Sequence, residues 1–167
     1  SLSLSLSLSL SLSLSLSRID TLEKKADDLE GRSKRNNLIF YGIKQRANED
    51  CEGIISDLLI DQLDITQDVQ FDRVHRLSGK PDSPIIARCC FYKDKVSILK
   101  EKRKLKGSDV FIGEDFSTPV REIRRKLTPH LKEARSKGKK CFMVFDHLVV
   151  DGTRLYLDQH DRLTDLK

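Results

Sequence analysis

The stretch from Ser83 to Ser117, SPIIARCCFYKDKVSILKEKRKLKGSDVFIGEDFS, limits what this chain can fold into more than any other part of it. It reads as an apolar strand, a helix that ends in a dense basic run, and a second apolar strand. That is the βαβ pattern, which needs a right-handed crossover and a sheet with one helical face. Lys100, Lys102, Arg103, Lys104 and Lys106 fall where the helix ends. A cluster of one sign beside a rigid sheet edge builds a positive potential that suits a polyanion better than a small neutral molecule. Nucleic acid is the partner this segment points to.

The residues upstream complete the pattern. Leu38 to Ile43 (LIFYGI) predicts a strand, and Asp50 to Leu63 carries Ile54, Ile55, Leu58, Leu59 and Leu63 on one helical stripe. Val69 to Leu77 (VQFDRVHRL) predicts a second strand, closed by the Gly- and Pro-containing loop Ser78 to Pro84. From about Asn37 to Ile112 the order is then β-α-β-β-α-β, the ferredoxin-like split βαβ arrangement, a four-stranded antiparallel sheet with two helices behind it.

A second, smaller unit follows. Ser117-Thr118-Pro119 places a capping hydroxyl before a proline in the first helical turn. Val120, Ile123, Leu127, Leu131 and Ala134 form one apolar stripe, while Arg121, Arg124, Arg125, Lys132 and Arg135 occupy other faces. Pro129 should bend this helix and Gly138 should stop it. Lys139 to Val144, His147 to Val150 and Thr153 to Leu157 predict strands, with Asp151-Gly152 as a two-residue hairpin turn. The expected class is α+β.

Residues Ser1 to Ser17 alternate strictly between Ser and Leu. The tract lacks the basic n-region of a secretory signal and the length of a membrane span, and no transmembrane stretch is expected. Alternation with period two would make an amphipathic strand if anything paired with it. A translated CT dinucleotide repeat gives the same dipeptide, and on that reading the tract is low-complexity, disordered or aggregation-prone. From Arg18 the pattern becomes helical. Ile19, Leu22, Ala26 and Leu29 form an a/d seam of barely two heptads, the stub of an oligomerisation helix or else a short solvated helix leading into the domain. The expected organisation is a Ser-Leu tract at 1–17, a coiled-coil stub at 18–33, the larger domain at 34–116, the small domain at 117–160 and a tail at 161–167.

Composition narrows the chemistry. With 34% charged residues, 38% hydrophobic ones and a net charge of +5, the basic balance is mild, so its clustering matters more than its size. Cys51, Cys89, Cys90 and Cys141 show no CxxC spacing and read as buried thiols of a reducing compartment. His75, His130, His147 and His160 are scattered, without ligand spacing or a neighbouring nucleophile motif. No glycine-rich phosphate loop or acidic metal cluster is present in the sequence, so neither an enzyme, a metal nor a cofactor is expected.

If Leu38, Phe40, Ile85, Ala87 and Cys89 face the helices, the open sheet face shows Ile39, Tyr41, Ile86, Arg88 and Cys90. Tyr41 and Arg88 are the residues there that suit nucleic acid. The third strand, Pro84 to Phe91, lacks the glycine and aromatic pair of the usual RNA-recognition signature.

Arg35-Asn36-Asn37-Leu38 with Gly42, then Arg73-Val74-His75-Arg76, Pro84-Ile85-Ile86, Tyr92-Lys93-Asp94-Lys95, Ile98-Leu99 and Arg124-Arg125 form an ordered set. It resembles the first-open-reading-frame protein of LINE-type, non-LTR retrotransposons over nearly all of the chain from Ala26 to about Leu157. The resemblance implies a coiled coil, a non-standard RNA-recognition domain and a small C-terminal domain that bind single-stranded RNA and DNA and act as a nucleic-acid chaperone. It implies a cytoplasmic ribonucleoprotein that can also be nuclear, and a homo-oligomeric parent family; the shortened seam departs from the pattern and leaves a monomer as the expectation here. Carried over by position, Arg103, Arg124 and Arg125 match RNA-contacting arginines, and Phe142 or Phe145 lies near an aromatic of the family's C-terminal domain. The expected nucleic-acid residues are then Arg35, Tyr41, Arg73, Arg76, Arg88, Lys100, Lys102, Arg103, Lys104, Lys106, Arg121, Arg124, Arg125, Phe142 and Phe145. The alternative is a protein-interaction module whose basic surface is incidental.

Overall fold

The structure is a computed structural model that describes residues 1–165. It is a mixed α+β protein with two antiparallel sheets. The chain divides into two compact units, one of Arg32–Asp115 and one that joins Ser1–Gly31 to the chain from Phe116 onward.

In the larger unit the elements are β1 (Asn37–Tyr41), α2 (Cys51–Leu63), β2 (Phe71–Arg76), β3 (Ile85–Cys89), α3 (Tyr92–Glu101) and β4 (Phe111–Glu114), after the end of a helix α1 (Leu2–Lys34). The sheet order is β2-β3-β1-β4. The α3 crossover therefore joins two strands that are not neighbours, and β1 lies between them. Alternation sorts the faces. Leu38, Phe40, Ile85, Ala87 and Ile112 point to one side and close a core with Ile55, Leu59 and Leu63 of α2 and Ile98 of α3. Each of the leucine, isoleucine and phenylalanine side chains among them contributes about 1.5–3 kcal/mol by leaving water. Gly42 ends β1 with φ of 80°, and a Cβ there would collide with the Asp109 carbonyl oxygen, so the strand must stop at a residue without a side chain. β2 carries a bulge between Phe71 and Arg73.

The helix ahead of the basic cluster ends earlier than its sequence suggests. α3 stops at Glu101, and Lys102–Leu105 form a 3-10 turn whose Leu105 is buried in the core. Lys95 of α3 is 4% exposed, with its Nζ donating to the Arg35 carbonyl at 2.6 Å and 3.0 Å from Glu114. This buried ammonium ties α3 to the chain entering β1 and to β4.

In the smaller unit, α4 (Thr118–Ser136) packs on a meander of β5 (Cys141–Val144), β6 (His147–Val150), β7 (Thr153–Leu157) and β8 (Leu163–Asp165), in that order across the sheet. Ser117 has extended backbone ahead of α4, and Arg121 N–H donates to its carbonyl at 3.0 Å. Gly138, at φ of 73°, donates to Arg135 while Lys139 donates to Ala134, the paired bonds of a Schellman stop. The helix continues through Pro129. Asp151 and Gly152 both have positive φ, 49° and 87°, as a two-residue hairpin with primed-turn twist requires. The tail residues expected beyond 160 supply β8; residues 166 and 167 lie outside the described residues.

Two expectations about the N-terminal segment are overturned. The Ser-Leu tract is helical and continuous with the seam that follows it, forming α1 of 33 residues. Leucine favours helix, serine tolerates it, and neither glycine nor proline interrupts the run before Gly31. At 3.6 residues per turn, a two-residue repeat scatters its leucines around the whole helix, so no face is apolar. Leu2 to Leu16 are 57–85% exposed, and Ile19, Leu22 and Leu29 of the seam are at least half exposed. The exclusion of a membrane span by length also fails, because α1 is long and apolar enough to cross a bilayer by length and composition, with an 18-residue window of mean hydropathy 1.3. A signal sequence would pass the same test.

The cysteines also differ from expectation. Cys89 and Cys141 are buried, Cys51 is half-buried, and Cys90, one residue beyond β3, is exposed. Burial pushes the Cys89 thiol up to about 11, which leaves it a core hydrophobe and not a reactive group.

Candidate nucleic-acid interface

The sheet face turned away from α2 and α3 is set by the residues that alternate with the core. It presents Ile39 and Tyr41 from β1, Arg73 and His75 from β2, Ile86 and Arg88 from β3, and Phe111 and Gly113 from β4. Tyr41 and Phe111 are partners across the β1–β4 ladder, with ring centroids 5.6 Å apart and planes tilted by 37°. They are 37% and 59% exposed. Gly113 makes room for them, since a Cβ there would stand 3.2 Å from the Tyr41 ring. Arg73 is opposite Arg88 in the register, and Arg88 Nε lies 3.6 Å from the exposed Asp72 carboxylate. Two exposed π-faces and two guanidinium groups thus share one rigid sheet surface, the chemistry that stacks bases and neutralises phosphates.

Phe111 was missed by the reading of the sequence. The alternation used for β1 and β3, carried into Phe111-Ile112-Gly113, places Phe111 opposite the core residue Ile112 and would have found it.

Arg76 does not belong to this face. It is an even number of residues from Val74, so it points to the core side, where its Nε and Nη2 each donate to Glu49 at 2.8 Å and its Nη1 donates to the carbonyls of Ile43 and Ser83. Both side chains are about nine-tenths covered. Hydrogen bonding to Arg76 holds the Glu49 carboxyl well below its ordinary 4.5, at about 2. Arg76 is a clamp between two loops, β1–α2 through Ile43 and Glu49 and β2–β3 through Ser83, and is not available to a phosphate.

The basic cluster is divided. Lys104 donates to the Leu63 carbonyl and to Asp64 at 3.1 Å and lies 2.9 Å from Glu101, so it caps the C-terminus of α2. Bonding to Glu101 and then Asp64 raises its pKa. Lys100, Lys102, Arg103 and Lys106 are exposed. Because Leu105 and Lys104 anchor this turn to α2, the cluster belongs to the helix-covered side of the unit and is separate from the Tyr41–Phe111 face. Arg35 is exposed with its guanidinium 4.3 Å above the Tyr92 ring, a second missed aromatic partner.

In the smaller unit Arg124 and Arg125 diverge. The Arg124 guanidinium lies 4.3 Å over the Phe116 ring and donates to the Phe145 carbonyl at 2.7 Å, and Phe145 packs edge-on to Phe116 at 6.0 Å. Arg125 is exposed, 3.1 Å from Glu122, and Arg121 is exposed with a bond to Thr118 Oγ1 at 3.0 Å. Phe145 sits at a positive φ of 43° in the β5–β6 turn, whereas Phe142 points from β5 to the sheet face opposite α4. Val144 shares that face, and His147 stacks on Tyr156 there at 4.7 Å. Among the described residues no three His, Cys, Asp or Glu side chains are grouped to hold a metal ion.

Neither a family model nor a curated protein matches this chain.

Proposed function

We propose that this protein binds single-stranded RNA and DNA with little sequence preference, as a nucleic-acid chaperone of the LINE-type retrotransposon first-open-reading-frame class. The observation that carries the reading is the exposed Tyr41–Phe111 pair on the same sheet face as Arg73 and Arg88. The β2-β3-β1-β4 order with two helices on one side supports a ferredoxin-like, RNA-recognition-like larger unit. Arginine and lysine capture phosphates and release counterions, and the ring pair accepts bases through their π-faces, which every base has. Screening of strand–strand repulsion then lowers the barrier to strand exchange, and no covalent step is needed.

Tyr41→Ala with Phe111→Ala tests this. Stacking is worth about 1–3 kcal/mol per base, so the double variant should bind labelled single-stranded RNA at least about tenfold more weakly while keeping its urea midpoint within reach of the parent. Unchanged affinity in a folded double variant would remove the sheet face from the interface.

A second reading, a protein-interaction module, draws on the exposed Phe142 and Val144 beside each other on the free face of the smaller sheet. It predicts no saturable binding to single-stranded RNA at all, which the same titration decides.

A further inference from the structure

We propose that Leu2–Leu16 is a self-association segment through which copies of this chain pair as β-strands and stack by their leucine faces. In α1 these eight leucines are 57–85% exposed and lie on every side of the helix, so the helical form buries none of them. A helical seam cannot repair this. Seven is odd and the repeat is two, so any a/d seam through the tract alternates leucine with serine, and no register or orientation of a coiled coil is preferred.

The strand form sorts the same residues completely, with leucines on one face and serine hydroxyls on the other. At about 100 Å² of apolar area per leucine, the strand face offers roughly 800 Å² per copy, which is what one partner contributes to a standard stable interface. About half of that would face a partner from a helix. The occupant is a second copy because the pattern complements itself. Identical strands shifted by any even number of residues still place leucine on leucine, and no charged side chain interrupts Leu2 to Ser17. A bilayer is a poorer match, since serines on every side of the helix would then face lipid.

The test uses the full chain at micromolar concentration, alone and with phosphatidylcholine vesicles, read by sedimentation velocity and by infrared amide bands. One variant carries Leu6→Lys and Leu10→Lys. Another keeps the same serines and leucines but groups the leucines at i, i+3, i+4 and i+7. Amide exchange at Leu38 and Phe40 reports whether the globular core stays folded. The parent should sediment as large species with added β signal and a protected core, at least tenfold more abundant than in the lysine variant, and the regrouped variant should stay helical. The proposal fails if the parent stays monodisperse, if it assembles without added β signal, or if it floats with vesicles instead. It fails equally if either variant assembles like the parent, or if assembly appears only once the core has lost protection.

Discussion

Arg76 reaches Glu49 and two carbonyls at once, so the ionised state of one carboxylate is coupled to the closure of two loops. The Glu49 pKa is depressed to about 2 in the folded chain against an ordinary 4.5. A depressed carboxylate contributes stability that is fully present above its unfolded value and is lost as pH falls from about 4.5 through about 2. Glu49→Gln should therefore lower the urea midpoint at neutral pH and flatten its decline over that acid window, measured by denaturation at a series of pH values. Gly42→Ala should cost roughly 1–3 kcal/mol or more, because it adds both a positive-φ penalty and a clash with the Asp109 carbonyl. Urea denaturation measures that loss directly. The core residues were legible from alternation alone, and Leu38, Phe40, Ile85, Ala87 and Cys89 are buried on the predicted side. Arg76 was not read correctly although its parity in Arg73-Val74-His75-Arg76 already opposed it to Arg73. Its partner Glu49 is 27 residues away, and such a pairing leaves no local signal.

Among the elements, α4 was the most legible because its signals are local. An early proline, a 3–4 stripe and a terminal glycine need no distant partner, although the expected capping hydroxyl of Ser117 makes no bond to the helix. The two arginines on it look alike in sequence and differ in surroundings. Arg124→Ala removes a ring contact and a bond to a backbone carbonyl, and should cost about 1–2 kcal/mol of stability in thermal or urea melts. Arg125→Ala should leave stability within about 0.5 kcal/mol and weaken RNA binding; equal effects of the two on stability would mean that the Phe116 stack contributes nothing. The Ser-Leu tract was expected to be low-complexity and disordered or aggregation-prone, and it is helical. Its two-residue period argues for a strand, yet a strand needs a neighbour, and a lone segment with good helix formers closes its own hydrogen bonds as helix. β8 was not foreseen, since three residues after an irregular loop carry too little pattern.

For the whole molecule, the two units differ in how much they bury. The larger unit closes thirteen buried apolar residues in one cluster, while among the described residues the apolar cluster of the smaller unit has Leu127, Cys141 and Leu148 as its buried members. Three side chains at about 1.5–3 kcal/mol each leave little margin against the ordering of its chain, so the amides of β5–β8 should exchange at lower denaturant than those of β1 and β3. Hydrogen exchange resolved by residue decides this, and coincident exchange would show one cooperative unit. On the binding side, each neutralised phosphate contributes about −0.7 to the log-log salt slope on single strands. Arg73→Ala with Arg88→Ala should therefore flatten the slope by about 1.4, measured by titration across a salt series.

The bulge between Phe71 and Arg73 has a further consequence. β2 is an outer strand of the larger sheet, and an outer strand with regular backbone is a template on which a stranger's chain can dock. The extra residue puts the row of amides out of step, and the charges of Asp72 and Arg73 beside it make an intruding strand unwelcome. The folded sheet is in this way protected from the very kind of contact that the leucine tract invites. Repairing the bulge by deleting Asp72 would be expected to remove that protection, turning a solitary sheet into one that recruits its neighbours.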